Sequence, residues 1–382
     1  MNTKPVITSL QLLLIAVGSA LVFPYTFMPI LNSPPANQDV WIALIMAFVY
    51  ILLLNTPVLI LMNKFRGVSI NQTCEIITGK IMGKIILIPF IIFTFICFTA
   101  CMLITTVFLE MYVFDDAPSW ALMLFMVVPA AYAAYKGAGT IARIANFIVP
   151  VVLFSIVLFF LFGLQYFDTQ YLKPVLTDSI FLELNLGAFF TAARYSEILI
   201  FWVFSYYLVK KASINKTYAK ALTTFGVAFM LILIPTVITL GMDYAKLVWN
   251  PYYAFTRQLE AFGFIERMQA LNILSWFPMA LLKLTIYIYM GSEVISGILK
   301  TKSHRPIVFP IVIAGYIMAL MPFMNKTSTV DMLRSDEVFP FIIIPVVFIV
   351  PVIILAVYII RKKKADAALK EALAAQPDEN EQ

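Results

Sequence analysis

Ile15-Ala16-Val17-Gly18-Ser19-Ala20-Leu21-Val22-Phe23-Pro24 decides how the chain folds. It lies inside an apolar run from about Ile7 to Leu31, long enough to cross a hydrocarbon core of about 30 Å as helix. Small residues at 18–20 and a proline six places after Gly18 predict a helix that opens in mid-membrane. Backbone freed in this way is tolerated at that depth only where it lines a cavity, and half-helix ends there form ready ion or anion sites. No small-residue cleavage pattern follows a short apolar centre, so the run reads as a retained span and not as a signal peptide.

Outward from this run the chain stays apolar. Of 382 residues, 62% are hydrophobic and 13% charged, far from the roughly 45–50% and 25% of soluble domains. Hydropathy places ten spans at about 8–31, 38–62, 85–111, 118–136, 142–166, 184–209, 219–243, 267–299, 306–325 and 338–361. The fold class is therefore all-α and integral to the lipid bilayer, with a membrane domain over 1–364 and a solvated, frayed tail over 365–382. If the N-terminus is cytoplasmic, nineteen of the 27 Lys and Arg fall on the inner side and six on the outer, leaving Arg194 and Lys283 within spans. That bias sets both termini in the cytoplasm. The net charge of +6 thus reports topology, and no nucleic-acid partner is implied.

Three cysteines, Cys74, Cys97 and Cys101, read as small core residues, and the one histidine, His304, lies in a basic loop. Such a set does not suit a metal site. No Ser/His/Asp set or phosphate loop appears among the spans, so neither an enzyme nor a cofactor is expected. Two connections carry structure of their own: Asn71 to Lys80 has helical character, and 244–266, with Trp249, Tyr252, Tyr253, Phe255 and Phe262, is either an outer gate or an aromatic belt.

Charges inside spans are the informative groups, because each costs at least about 2.5–3.5 kcal/mol at the bilayer centre. In span six Arg194 and Glu197 are three apart and within reach of each other on a helix, with Tyr195 and Ser196 between them. They form either a neutralising pair or a functional one. Span six also has small residues, at Gly187-Ala188 and Ala192-Ala193, which makes it a second weak point. In span eight Lys283 shares a stripe with Trp276 and Tyr287. It serves as a counter-charge to Glu197 or Glu110, or as a functional cation. Glu110 and Glu293 lie near span ends, where snorkelling to water accounts for them.

The run Gly18-Ser19-Ala20-Leu21-Val22-Phe23-Pro24 is similar to the glycine-serine-glycine-apolar-apolar-x-proline signature of the amino acid–polyamine–organocation permeases. Within that superfamily the chain resembles the spore-germination permeases, the B subunits of nutrient germinant receptors of the GerAB type. Further stretches support this: Ala142-Arg143-Ile144-Ala145-Asn146, Asn250-Pro251 through Arg257-Gln258-Leu259-Glu260, and Arg267 through Trp276-Phe277-Pro278. The resemblance implies a LeuT-type fold, a five-plus-five inverted repeat with helices 1 and 6 broken. It implies a receptor complex with A and C subunits in the inner membrane of a spore.

The expected ligand is a small polar nutrient, an amino acid or a sugar or polyol. It would lie among Gly18, Ser19, Ala20, Thr105, Arg194, Tyr195, Glu197 and Lys283, with any carboxylate on backbone donors after Gly18. Ala20 and Tyr195 stand where the permease patterns carry glycine, and the tyrosine narrows or enters the pocket. A proton-coupled amino-acid transporter, with Glu197 and Lys283 as carriers, and a scaffold with a vestigial pocket are the rival readings.

Overall fold

The computed structural model describes residues 6–260, 268–321 and 339–374. Among them, nine helices are long and apolar enough to cross a membrane, and a tenth apolar helix, Arg305–Leu320, is shorter. The expected end of that span, 322–325, lies outside the described residues, as do Phe262, Arg267, Lys326, Arg334 and the last part of the tail, 375–382.

Span one is α1 (Ser9–Thr26), opened by a capping box between Thr8 and Gln11. Span two divides at Asn55 into α2 (Val40–Leu54) and α3 (Thr56–Lys64), where Pro57 starts the second piece. A short helix, α4 (Ile70–Thr78), lies where Asn71–Lys80 was expected to be helical. Spans three to five are α5 (Lys80–Tyr112), α6 (Ser119–Lys136) and α7 (Ala138–Gly163).

Span six divides into α8 (Phe181–Tyr195) and α9 (Ile198–Ser205). Then come α10 (Ile214–Leu240), the short α11 (Met242–Leu247) and α12 (Pro251–Gln258), α13 (Met268–Leu299) and α14 (Arg305–Leu320). The last span joins α15 (Phe339–Ile344) through a π turn at Pro345–Ile349 to α16 (Val350–Ile360), and α17 (Lys362–Ala374) follows.

The packing has the symmetry that two repeats of five spans require. α2 lies along α8 and α10 lies along α1, so span two meets span six as span seven meets span one. Span α13 is the hub, touching α1, α5, α6, α7 and α14.

Two expectations are corrected here. Span one is not broken at Gly18–Ala20: α1 runs unbroken through it, and the chain leaves helix only at Phe27 and Met28, past Pro24. The small residues serve close approach instead, since a Cβ on Gly18 would stand 2.5 Å from Val149 Cγ2 and 3.2 Å from Leu282 Cδ2. Residues 365–374 of the tail are not frayed but helical. Ala365 and Leu369 are buried, and Lys64 Nζ meets Asp366 Oδ1 at 3.0 Å.

Candidate functional site

The break in span six falls on the charged residues. Ser196 is extended (φ −76°, ψ 94°), so α8 ends at Tyr195 and α9 starts at Ile198 with the amides of its first turn free of helical partners. Ser196 Oγ donates to Asn55 Oδ1 (2.9 Å), and Asn55 Nδ2 donates to Tyr218 Oη (2.7 Å). The break in span six and the kink in span two therefore share one buried amide. Sequence reasoning missed Asn55, Ser196 and Tyr218. An asparagine two places before a proline inside an apolar span is the signal that marks Asn55.

Lys283, fully buried on α13, crosses to this break. Its Nζ donates to Glu197 Oε1 (2.8 Å) and to the Ser19 carbonyl (2.8 Å), and it lies 3.8 Å from the centroid of the Phe23 ring. Carboxylate, carbonyl and aromatic face together surround one ammonium. The pairing of Arg194 with Glu197 is corrected: the helix break separates the two, and the carboxylate engages the lysine from the facing helix. Lys283 likewise answers Glu197 and not Glu110. Burial of an ion pair with so few polar neighbours is weak support for stability, which favours a working role for it.

A cavity of ≈30 Å³ lies beside the pair, with Ala20, Tyr195, Glu197, Phe201, Tyr218 and Phe225 in its wall. That is room for about two waters. Of the eight expected residues, Ala20, Tyr195 and Glu197 face the cavity, and Tyr195 packs on Phe229 with ring centroids 4.9 Å apart. Ser19 gives its carbonyl to Lys283 while its own hydroxyl is buried without a partner.

The other expected residues sit differently. Gly18 faces Val149 and Leu282. Thr105 donates to the carbonyls of Cys101 (2.7 Å) and Met102 (3.0 Å) on its own helix. Arg194 is buried on the last turn of α8. Because α1 is continuous, the expected backbone donors after Gly18 are engaged in helix, and the free amides are those at the start of α9.

At the end of α1, α12 packs against α1, α10 and α13. Asn250 Nδ2 donates to the Thr26 carbonyl at the end of α1 (2.5 Å), and Trp276 Nε1 donates to Thr26 Oγ1 (2.6 Å). Tyr253 stacks toward Phe108 and Tyr112, and Phe108 reaches Trp276 at 4.1 Å. Tyr252 and Phe255 of the same segment are fully buried, which a passive interfacial belt would not require.

A second and larger cavity, ≈760 Å³, opens on the face that carries most of the basic residues, and none of the eight expected residues lines it. Its floor is Tyr207, Tyr289 and Glu293. Glu293 is not left to snorkel as its place near a span end suggested. Tyr207 Oη donates to its Oε1 at 3.2 Å.

The chain belongs to the Spore germination protein family, which it matches over residues 6–328. It is 21% identical over 318 residues to the spore germination protein YndE of Bacillus subtilis (strain 168), covering 83% of this chain and 87% of that one. Among solved structures, MhsT in complex with L-phenylalanine superposes with a TM-score of 0.61 at 13% identity, covering 94% of this chain and 91% of that chain. A substrate-bound, outward-open Na+-coupled sialic acid symporter gives 0.57 at 13% identity, over 91% and 88%. The fold is the LeuT type, all-α and multi-pass, as the sequence implied.

Proposed function

We propose that the chain is the nutrient-sensing membrane subunit of a spore germinant receptor, held in the spore inner membrane with both termini in the cytoplasm. It binds a small polar germinant, an amino acid or a sugar or polyol, at the break between α8 and α9 and signals to the A and C subunits. No bond is made or broken in this reading. The observation that carries it is the buried Lys283–Glu197 pair beside a helix break and a small cavity.

The cavity as it stands is too small for any nutrient, and that supports a signalling role. A ligand must select an arrangement in which α1, α9 and α10 stand further apart. It can shift the equilibrium only by the difference in its affinity for the two arrangements. Tyr195, Glu197 and the unpartnered Ser19 hydroxyl supply polar contacts, and the first amides of α9 suit a carboxylate. Transmission to the A and C subunits then follows from the movement of whole helices.

The test fills the cavity. Ala20→Leu should raise the germinant concentration for half-maximal response by about tenfold or more, the equivalent of 1.4 kcal/mol, while the subunit still co-purifies with A and C. An unchanged dose response, there and in Ser19→Phe, would favour a scaffold with a vestigial pocket.

The ion pair also supports a second reading, a proton-coupled amino-acid transporter in which Glu197 and Lys283 exchange a proton as substrate moves. Uptake of labelled amino acid into vesicles containing this chain alone, driven by a pH gradient, distinguishes it. Absence of uptake for every nutrient to which the cells respond would exclude it.

A further inference from the structure

The floor of the larger cavity is a second titratable centre, remote from Glu197. Tyr207 lies just past α9 and Tyr289 on α13, and their hydroxyls meet at 2.6 Å. Tyr207 Oη also reaches Glu293 Oε1 at 3.2 Å. His304, the one histidine of the chain, places Nδ1 3.8 Å from Glu293 Oε2 and Nε2 3.2 Å from the Ala134 carbonyl, with its ring 5.0 Å from Tyr289. Four side chains thus join the end of α9, the last turns of α13, the loop before α14 and the end of α6.

What they join matters for movement. The Ile7 amide donates to the Tyr207 carbonyl (2.8 Å) and the Val209 amide to the Ile7 carbonyl (3.0 Å). The start of α1 and the end of α9 are therefore one unit on this face. The tyrosine, carboxylate and imidazole contacts are what tie that unit to α13. Behind them, about 15 Å along α13 at 1.5 Å per residue, lies Lys283 with its Glu197 partner.

We propose that Tyr207, Tyr289, Glu293 and His304 form a proton-binding gate that closes the way from the basic-face cavity to the Lys283–Glu197 pair, and that a proton on His304 holds it shut. A charged imidazole beside a partly buried carboxylate adds an ion pair to the tyrosine contacts, and imidazole is the side chain that changes charge between about pH 5 and pH 8. The other charges around the cavity are Lys136 of α6, Arg143 of α7, Glu75 of α4, and Lys300, Lys302 and Arg305 in the loop of His304. Glu293 is the acidic group that the ring meets, at 3.8 Å. Neutralising His304 removes the ion pair and frees the α1–α9 unit to swing from α13. The gate depends on the proposed function only in that its passage leads to the candidate pocket, and it can be tested with no ligand present.

Native thiols report on it. Cys97 is buried on α5 beside Tyr287. Thr94, three residues earlier, approaches Gly291, which sets Cys97 between the gate and Lys283. Cys101 follows one turn deeper. The experiment uses the full chain in membrane vesicles with Cys74→Ala, and a membrane-impermeant methanethiosulfonate reagent applied on the face of the termini.

Glu293→Gln should speed labelling of Cys97 and Cys101 about tenfold, by shifting the population toward the open arrangement. Tyr207→Phe, which keeps the ring, serves where the first variant fails to fold. Raw thiol reactivity rises with pH, so the quantity to read is the parent rate divided by that of His304→Gln. It should fall several-fold as the medium is made acidic, because only the parent carries the imidazole. A ratio that stays constant with pH overturns the proton's role. Unchanged labelling in both Glu293→Gln and Tyr207→Phe overturns the gate.

Discussion

Lys283 and Glu197 are each other's reason for being buried, and the arrangement makes a definite statement about mutations. Lys283→Met leaves the Glu197 carboxylate, 13% exposed at the helix break, without its cation, a loss of up to about 3–5 kcal/mol on the scale of broken buried pairs. Melting of the purified protein should drop steeply, while Lys283→Met with Glu197→Leu should recover most of it because the pair is removed whole. If the double variant folds but the assembled receptor no longer answers germinant, the pair works in binding; a normal answer would make it structural. That the two charges matter was legible in the sequence, since charge in a span needs a partner. The partner itself was not: Arg194 sits three residues away, whereas Lys283 arrives from a helix 86 positions later, and no local spacing carries that distance.

At the scale of elements, small residues and breaks turn out to be different signals. Gly18 and Gly187 both read as weak points, and both are contact points. A Cβ on Gly187 would stand 1.6 Å from the Pro34 carbonyl oxygen. Gly187→Ala must displace backbone, so it should destabilise by about 1–3 kcal/mol or more, the range for overpacking, and lower the melting temperature. Equal melting of variant and parent would contradict the close approach of α8 to the Pro34 turn.

The true interruptions sit where polar side chains stand in for helix. Ser196 is held by Asn55, and the end of α1 at Thr26 is held by Asn250. Asn250→Leu leaves a buried carbonyl unsatisfied at about 1–3 kcal/mol and should loosen α12 over Trp276, seen as faster amide exchange at Pro251–Gln258 than in the parent. Hydropathy found the spans containing these breaks because length and apolarity are local. It misplaced the break in span one because a Gly-Ser-Ala run lets helices touch as readily as it lets one open.

The whole molecule is two repeats wrapped on α13, with a C-terminal helix docked on its basic face. Composition made the tail look solvated, yet Ala365, Leu369 and Leu373 fall four apart on one stripe, and the first two are buried. That stripe was the available signal. Beside it Asp366 meets Lys64 at 3.0 Å, and the hydrogen bond from Lys64, with a smaller one from Tyr358, holds the aspartate carboxyl below its ordinary range. A lowered carboxyl pKa makes the docked state bind fewer protons than the free helix. Its contribution is therefore present above the ordinary aspartate value of about 3.9 and is lost as pH falls through the lowered one. Both side chains are about one-third exposed, so the effect is small and the apolar stripe carries most of the docking. Amide exchange over Lys362–Ala374, corrected for intrinsic rates, should stay flat from neutral pH down to about pH 4 and rise below it. Asp366→Asn should show the faster exchange already at neutral pH and no step in acid. The same acid step in the variant would place the titration elsewhere and leave α17 held by the buried Ala365 and Leu369.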